Sequence, residues 1–330
     1  MPEYTLLIVA LLLTLAAEFV NGWTDSPNAI ATVVSTRVLS PSQAVMMAAG
    51  LNIVGALVTG TAVATTIGKG IVNPEIISLP VIIATTLTIV LWSIAAWAFG
   101  IPTSESHELI AGLTGAGLAA AGPSVLLWEG WRKVLIGLGI STILGFSLGM
   151  VLMIALYWSL RRVRLSSIRN AFSRLQIASA AFMAFSHGSN DGQKFMGVFT
   201  LALVLGGALP TFAIPLWVML LSGTVMGLGT AFGGWRIIRT MGFKITALEP
   251  VNGFAAESAG SIAILLASRF GIPLSTTHCI GTAIMGVGAT KRFSAVRWGM
   301  ARNIVMTWII TFPACAALGY AFTWLLKLII

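Results

Sequence analysis

The sequence predicts an all-α polytopic membrane protein, with about ten transmembrane segments in two inverted repeats that contain broken helices and half-helices. Three observations predict this class. Of the 330 residues, 57% are hydrophobic and 9% are charged, against roughly 45–50% and roughly 25% in soluble domains. Ten apolar stretches approach the length of about 20 residues that a helix needs to cross a bilayer. Finally, two motifs recur at nearly the same offset along the chain.

The apolar stretches fall into two sets of five, separated by one basic segment. They lie near 4–36 (interrupted), 43–67, 74–100, 103–122, 134–160, 175–205 (interrupted), 210–233, 251–270, 274–290 and 300–327. The short stretches 103–122 and 274–290 are expected to be half-helices. We therefore predict a first repeat at 1–160, an Arg-rich linker at 161–174 and a second repeat at 175–330. The composition excludes a soluble enzyme, a disordered chain and a nucleic-acid-binding protein, despite a net charge of +9.

The linker orients the chain in the membrane. It contains five arginines and no acidic residue, and basic loops remain on the cytoplasmic side. With five crossings on each side of it, both termini are predicted outside the cell membrane. This topology places 13 basic residues inside and five outside, which favours it. The N-terminus has no basic region typical of a cleavable signal peptide, so the first apolar stretch is expected to be a retained span.

An internal repeat relates the two halves. The segment 99–117 recurs as 270–288 with eight of 19 positions identical, where unrelated sequences share about one. A shorter element joins Phe19, Gly22 and Asp25 to the equivalent residues 166 positions later. Because each half has an odd number of crossings, the halves are inverted in the membrane. Inverted repeats with interrupted helices are typical of secondary transporters, with the substrate near the midplane.

The first element of each repeat predicts a helix break with an acidic residue. The segment 21–28 contains Asp25, Ser26 and Pro27, which suit a helix start after a break. The segment 187–192 is also rich in glycine and capping residues, so we expect the second span to be interrupted as well. Asp25 and Asp191 would each cost roughly 2.5–3.5 kcal/mol at a helix centre. We interpret them as functional residues with a cation or proton as partner, and the alternative is local capping.

The second element of each repeat predicts a half-helix that binds an anion. Ser104, Glu105 and Ser106 follow one proline, and Ser275, Thr276 and Thr277 follow another. The free N–H groups and positive dipole end of such a helix bind anions, and the hydroxyls add donors. The alternative is plain capping by serine.

Other polar residues in the spans receive structural interpretations. His107 and His278 lack companion metal ligands, so we expect buried histidines bonded to the backbone. Lys194 is expected to extend toward the membrane surface. Glu257 lies close to Pro250 and is expected near an interface.

Taken together, these motifs resemble the inorganic phosphate transporter (PiT) family. Residues 22–28 and 188–191 resemble its duplicated Gly-x-Asn-Asp signature, and 102–107 and 273–278 resemble its second repeated element. Residues 257–261 resemble its Glu-x-x-Gly segment. The resemblance implies symport of phosphate with sodium or protons by a transport domain that moves against a scaffold.

The resemblance also implies roles for individual residues. Substrate and cation binding are assigned to Asp25, Asn28, Asn190 and Asp191, and the anion site to Ser104, Ser106, Ser275, Thr276 and Thr277. Cation coupling is assigned to Asp25, Asn28, Asp191 and Glu257. Glu105 is added to the coupling residues on its own position, because a carboxylate beside an anion site can carry a proton. Sodium, if bound, would lie at Asp25 and Asp191; no other metal and no cofactor is expected. The sequence departs from the family pattern at Thr24, at Glu105 and at Asn52, which stands where the family has a glutamate.

The resulting hypothesis is a secondary active transporter that imports phosphate with a cation, through alternating access around a midplane site. It is not an enzyme, its partners are phosphate, Na⁺ or H⁺ and the lipid bilayer, and homo-oligomerisation stays open. A sulfate permease of the same fold and an uncoupled anion channel remain alternatives. An intramembrane hydrolase is disfavoured because no nucleophile, base and acid share a suitable spacing. Protons are slightly favoured over sodium, since Thr24 replaces one expected ligand and Glu105 adds a carboxylate.

Overall fold

A computed structural model describes residues 3–329, and these residues form helices joined by short connections. The helices are α1 (Glu3–Thr24), α2 (Pro27–Ser35), α3 (Pro41–Val58), α4 (Ala62–Gly70), α5 (Leu79–Phe99), α6 (Glu105–Ala121), α7 (Trp128–Leu160), α8 (Leu165–Leu205), α9 (Leu216–Phe232), α10 (Trp235–Arg239), α11 (Pro250–Arg269), α12 (Thr276–Lys291) and α13 (Trp298–Ile329). Within this range the only β-type pairing is an isolated bridge between Val72 and Leu126.

The number of membrane spans is smaller than the sequence predicts. Within residues 3–329, six helical segments are long and apolar enough to cross a bilayer, or seven if the bent pair of α9 and the helix after it is one span. The prediction of about ten segments is therefore not confirmed. Helices α6 and α12 have only 17 and 16 residues, fewer than the roughly 20 that a crossing needs. Helix α8 carries charged residues in its middle. The multi-pass helical membrane class is confirmed.

The break predicted near Asp25 is present. Helix α1 ends at Thr24 and Pro27 is the first residue of α2, because proline fits the first helical turn but has no N–H to continue a preceding one. The backbone N–H groups of Asp25 and Ser26 both donate to the carbonyl of Asn21, at 3.0 and 3.4 Å. The Ser26 hydroxyl does not cap α2; it accepts from Asn52 at 2.8 Å instead.

The break predicted at 187–192 is wrong, because α8 runs without interruption from Leu165 to Leu205. A single glycine costs only about 1 kcal/mol in a helix, which does not end a well-packed one. The glycines of this segment serve packing. A Cβ on Gly188 would overlap the backbone of Asn52, and a Cβ on Gly55 would overlap the backbone of Phe185. Glycine thus lets α3 and α8 touch backbone to backbone.

Two connections also differ from the prediction. The single span expected at 43–67 is divided into α3 and α4, with Gly60 between them at a φ of +86°, a conformation that glycine adopts readily. In the Arg-rich linker, only residues 161–164 lie outside helices, since α8 already begins at Leu165.

The repeated Pro-x-Ser element forms the same structure twice. Helices α5 and α11 each end next to a glycine with positive φ, Gly100 at +66° and Gly271 at +65°. A short extended segment with a proline follows, and then α6 or α12 begins. Both short helices are buried over most of their length, as expected for half-helices inside a bundle.

The helices of the two halves interleave. Half-helix α6 packs mainly on α13 of the second half, and half-helix α12 packs mainly on α7 of the first half. Helix α8 lies between α3 and α11. Small residues allow the close approach: a Cβ on Gly115 would overlap the backbone of Ala316, and a Cβ on the equivalent Gly286 would overlap that of Phe146.

Candidate functional site

Asp25 lies in the break between α1 and α2 and is 2% exposed. One of its carboxylate oxygens accepts from the Asn28 amide at 2.6 Å and from the Thr277 hydroxyl. Asn28 also donates to the Thr277 hydroxyl at 3.0 Å. Because Thr277 lies in the first turn of α12, this network joins the helix break of the first repeat to the half-helix of the second.

Asp191, fully buried in the middle of α8, forms an ion pair with Lys194 one turn later. Its second oxygen lies 3.4 Å from His187 Nε2 and accepts from the Thr276 hydroxyl at 3.1 Å. The same hydroxyl is 3.4 Å from Asp25 Oδ2. Thr276 therefore connects the two repeated aspartates, which the sequence pairs only by their positions in the repeat.

The ends of the two half-helices meet beside these aspartates. The Ser106 hydroxyl of α6 donates to the carbonyl of Leu274, just before α12, at 3.0 Å. The Lys194 ammonium donates to Ser106 and to the Leu274 carbonyl at 3.2 Å. Two positive helix ends and a buried ammonium thus converge on one point, an arrangement that favours an anion.

The serines that precede the half-helices behave differently from each other. Ser275 caps α12 by accepting from the backbone N–H of His278 at 3.2 Å, so the capping alternative holds there. Ser104 occupies the equivalent position before α6, but its side chain makes no capping bond. Its buried hydroxyl has no hydrogen-bond partner in the described chain, which leaves it free for a ligand.

Two of the three departures from the family pattern, Thr24 and Glu105, are in contact. The Thr24 hydroxyl donates to one carboxylate oxygen of Glu105, and the other oxygen is buried without a partner among residues 3–329. Glu105 is the first residue of α6 and is 2% exposed. The structure thus brings Glu105 next to the end of α1 and directs it into the bundle.

Asn190 and Glu257 lie outside this network. Asn190 donates to the Ser268 hydroxyl at 2.8 Å. Glu257 accepts from Thr32, from Ser179 and, at 3.2 Å, from Gln176. Glu257 is fully buried and its carboxylate is satisfied by three donors, so it does not face lipid or solvent; its expected position near a membrane interface stays a prediction.

Lys194 is the site residue that the sequence interpretation missed. It was expected to reach the membrane surface, but it is 1% exposed and its ammonium faces Asp191 and the half-helix ends. The spacing of three residues from Asp191 was the available signal, because residues three apart in a helix share a face. The predicted break at 187–192 concealed that signal.

The histidines also differ from expectation. Neither His107 ring nitrogen has a hydrogen-bond partner in the part of the chain that is described, so no backbone bond holds the ring. The rings of His107 and His278 meet edge to face with centroids 4.4 Å apart, and His278 stacks on Trp308 at 3.7 Å. Aromatic packing positions both rings beside the half-helix ends.

The side chains of this site also offer ligand atoms for a small cation. Ligand atoms of Asp25, His187 and Asp191 all lie within 4.8 Å of one another. The carboxylates and the nearby threonine hydroxyls are the oxygen ligands that hard cations prefer. The Lys194 ammonium already balances one oxygen of Asp191, so a sodium ion here would compete with a fixed positive charge.

A cavity of about 820 Å³ lies at the far end of α2. It is lined by the residues that follow α2, by the turn between α7 and α8 and by the start of α11, and three arginines contribute to it: Arg37, Arg161 and Arg169. Helix α2 extends from Asn28 in the site to Ser35 at this cavity, a rise of about 10 Å at 1.5 Å per residue.

Comparisons with known proteins agree with this geometry. The model of the Phosphate transporter family matches residues 21–168 and 161–319. A probable low-affinity inorganic phosphate transporter of Rhizobium meliloti is 45% identical over 317 residues, which cover 96% of this chain and 95% of the relative. One of the same description from Bacillus subtilis is 42% identical over 328 residues and 98% of each chain.

A solved structure gives the same result at the level of the fold. It is described as the sodium-dependent phosphate transporter, is 27% identical to this chain, and superposes with a TM-score of 0.88 over 99% of this chain and 100% of its own. Since the family model and the relatives each cover nearly the full length, this chain belongs to the phosphate transporter family.

Proposed function

We propose that this protein is a secondary active transporter that imports inorganic phosphate together with a cation, sodium or a proton, by alternating access around the buried site. The observation that carries the proposal is the meeting of the α6 and α12 ends with Lys194, beside Asp25 and Asp191. Positive helix ends and an ammonium bind the anion, and the carboxylates provide sites for the accompanying cation.

Phosphate fits the acceptors of this site better than sulfate. Phosphate carries O–H groups near neutral pH, and each can donate to Asp25 or Asp191, whereas sulfate has none. An unmatched pair of acceptors in a buried site is costly. The hydroxyls of Ser106, Thr276 and Thr277 serve as donors to the remaining oxygens, which any tetrahedral oxyanion presents.

The charge balance supports cation coupling. Asp25, Asp191 and Glu105 are all buried near the half-helix ends, and Lys194 balances only one of these carboxylates. Entry of an anion would add negative charge to a site of low dielectric, where unbalanced charges cost several kcal/mol each. Protonation of a carboxylate or entry of sodium removes that cost, so anion and cation bind together.

Burial of the site supports a carrier over a channel. Apart from Thr24, which is 7% exposed, every residue of the network is 2% exposed or less, so the site is closed on both sides in this conformation. The cavity next to Arg37 lies on the side that the topology places in the cytoplasm. We assign it as the release route, which a movement of α2 and α12 would connect to the site.

The test is uptake of radiolabelled phosphate by the purified protein in liposomes. Accumulation above equilibrium is expected under an inward proton or sodium gradient, with little competition from excess sulfate. Liposomes that contain the Asp25→Asn variant provide the control. Equilibration without accumulation under both gradients would indicate a channel, and equal displacement by sulfate would indicate an anion permease of broader specificity.

A further inference from the structure

Besides Asp25, a further acidic residue lies near the break before α2, on the N-terminal side in α1. Glu18 and Asn21 precede Asp25 by seven and four residues, a spacing that places all three on one face of a helix. Both are fully buried. This polar face continues from the phosphate site into the bundle and lies within one of the most apolar spans of the chain.

The side chains on this face have no partners. Neither carboxylate oxygen of Glu18, nor either polar atom of the Asn21 amide, has a hydrogen bond within residues 3–329. Asp25, Asp191 and Glu257, in contrast, each accept two or more hydrogen bonds. An isolated buried carboxylate is among the most costly groups a protein can contain, so Glu18 requires a proton or a bound cation to neutralise it.

Two further polar atoms without partners lie at the start of α6, next to this face of α1. Glu105 is bound to Thr24 through one oxygen, and its other oxygen is unpaired, as is the hydroxyl of the neighbouring Ser104. Asn21 lies three residues before Thr24 in α1 and shares its face of the helix, on the side where Thr24 contacts the Glu105 carboxylate. Five oxygen atoms and the Asn21 NH₂ group therefore remain unsatisfied, and four of the oxygens belong to carboxylates or to the amide and can only accept. This excess of acceptors favours a cation over an anion.

The protein's own charged side chains do not neutralise Glu18 and Glu105. Among the described residues, the other charged groups near Glu18 and Glu105 are the acidic Asp25, Asp191 and Glu108 and the basic Lys194. Lys194 is committed to Asp191, and Glu108 accepts from Ser93. A mobile positive charge must therefore enter.

We propose that Glu18, Asn21 and Glu105 form a binding site for one monovalent cation, distinct from the Asp25 and Asp191 cluster, and that its occupancy drives phosphate transport. The inference rests on the proposed function and names the site of its coupling ion. Sodium would be held by the two carboxylates and the Asn21 oxygen, ligands that hard cations prefer. A proton would be carried on one of the carboxylates and shared with the other.

The test compares two transport modes in liposomes that contain the full chain with Glu18→Gln. Glutamine keeps the shape of the side chain but removes its charge. Phosphate accumulation driven by the cation gradient is expected to fall by at least about tenfold, an ordinary size for coupling between two ligands. Exchange of internal for external phosphate without a gradient should be retained, because the Asp25 and Asp191 network is unchanged.

Separate arms identify the cation. One arm imposes a sodium gradient at equal pH, and the other imposes a pH gradient in sodium-free buffer; the variant should lose the response to the same gradient that drives the unsubstituted chain. Glu75→Gln is the matched control, since Glu75 is exposed in the connection before α5, and it should leave both modes unchanged.

A binding measurement keeps the proposal testable if transport is lost for another reason. A ligand that binds only the folded protein stabilises it, so the coupling cation should raise the melting temperature of the unsubstituted chain in detergent and not that of Glu18→Gln or Asn21→Leu. Gradient-driven accumulation by Glu18→Gln at the unsubstituted level would overturn the site. If the unsubstituted chain does not accumulate phosphate under either gradient, the proposed function itself is wrong.

Discussion

At the scale of single residues, the buried ion pair of Asp191 and Lys194 is the centre of the site. Both side chains are removed from water, so neither charge is stable without the other. The pair also places an ammonium at the meeting point of two helix ends, where a bound phosphate would attract it. In the proposed mechanism, Lys194 would change partners between Asp191 and the anion, and this exchange would link phosphate binding to the charge state of the aspartate.

Removal of Lys194 should therefore affect stability and transport separately. Lys194→Met leaves Asp191 buried without its partner, which should destabilise the fold by about 3–5 kcal/mol and abolish uptake. Adding Asp191→Asn removes the uncompensated charge. The melting temperature in detergent should then recover, whereas uptake should not. Recovery of uptake in the double variant would show that the lysine only balances charge and does not bind phosphate.

Asp25 offers a test of function against capping. In Asp25→Asn, the new amide can still accept from Thr277 and keep the local packing, but it cannot balance a cation. Phosphate accumulation should fall by more than about tenfold while the melting temperature changes little. Uptake close to the unsubstituted level would return Asp25 to a structural role at the end of α1.

The sequence predicts the acidic residues of the site better than their partners. Asp25 and Asp191 stand out because carboxylates are expensive in apolar spans, and the structure joins them through Thr276. Lys194 was missed because its role depends on the rotation of α8, which a predicted break obscured. Glu18 was missed since nothing in its local sequence distinguishes a group that faces the bundle from one near the membrane surface.

At the scale of helices, the sequence correctly predicts the break before Pro27 and wrongly predicts one at 187–192. Pro27 has no N–H group, and α1 does end before it. The glycines of 187–192 cost little individually, and packing against α3 outweighs that cost, so α8 continues. The repeated Pro-x-Ser element gave the half-helix starts correctly because proline and a following glycine-rich helix fix that geometry locally.

The contact between α3 and α8 can be tested with two glycines of the same helix. A Cβ on Gly55 would overlap the backbone of Phe185, whereas a Cβ on Gly50 meets no atom within 4 Å. Gly55→Ala should force the helices apart and destabilise the fold by about 1–3 kcal/mol. Gly50→Ala should be neutral or stabilise it by up to about 1 kcal/mol. Melting temperatures in detergent measure both, and equal values would contradict the close packing.

At the scale of the whole molecule, the orientation in the membrane is the main open prediction. Both native cysteines are buried, so they provide a silent background for labelling. A cysteine at Ser166, in the Arg-rich segment, should react with a membrane-impermeant maleimide only after the cells are opened. A cysteine at Ser124, in the connection between α6 and α7, should react in intact cells. The reverse pattern would invert the topology and move the arginine-lined cavity to the outer side.

The interleaving of the halves has a consequence for how such a protein can evolve. Each half-helix rests on a long helix encoded in the opposite half of the gene. A change of side-chain size in α6 must therefore be compensated by a change of side-chain size in α13. A change in α12 must likewise be compensated in α7. Compensating mutations are then shared between the two halves of the chain, so the halves must change together. Neither half can be exchanged or lost by itself, because the half-helix of each packs against a long helix of the other.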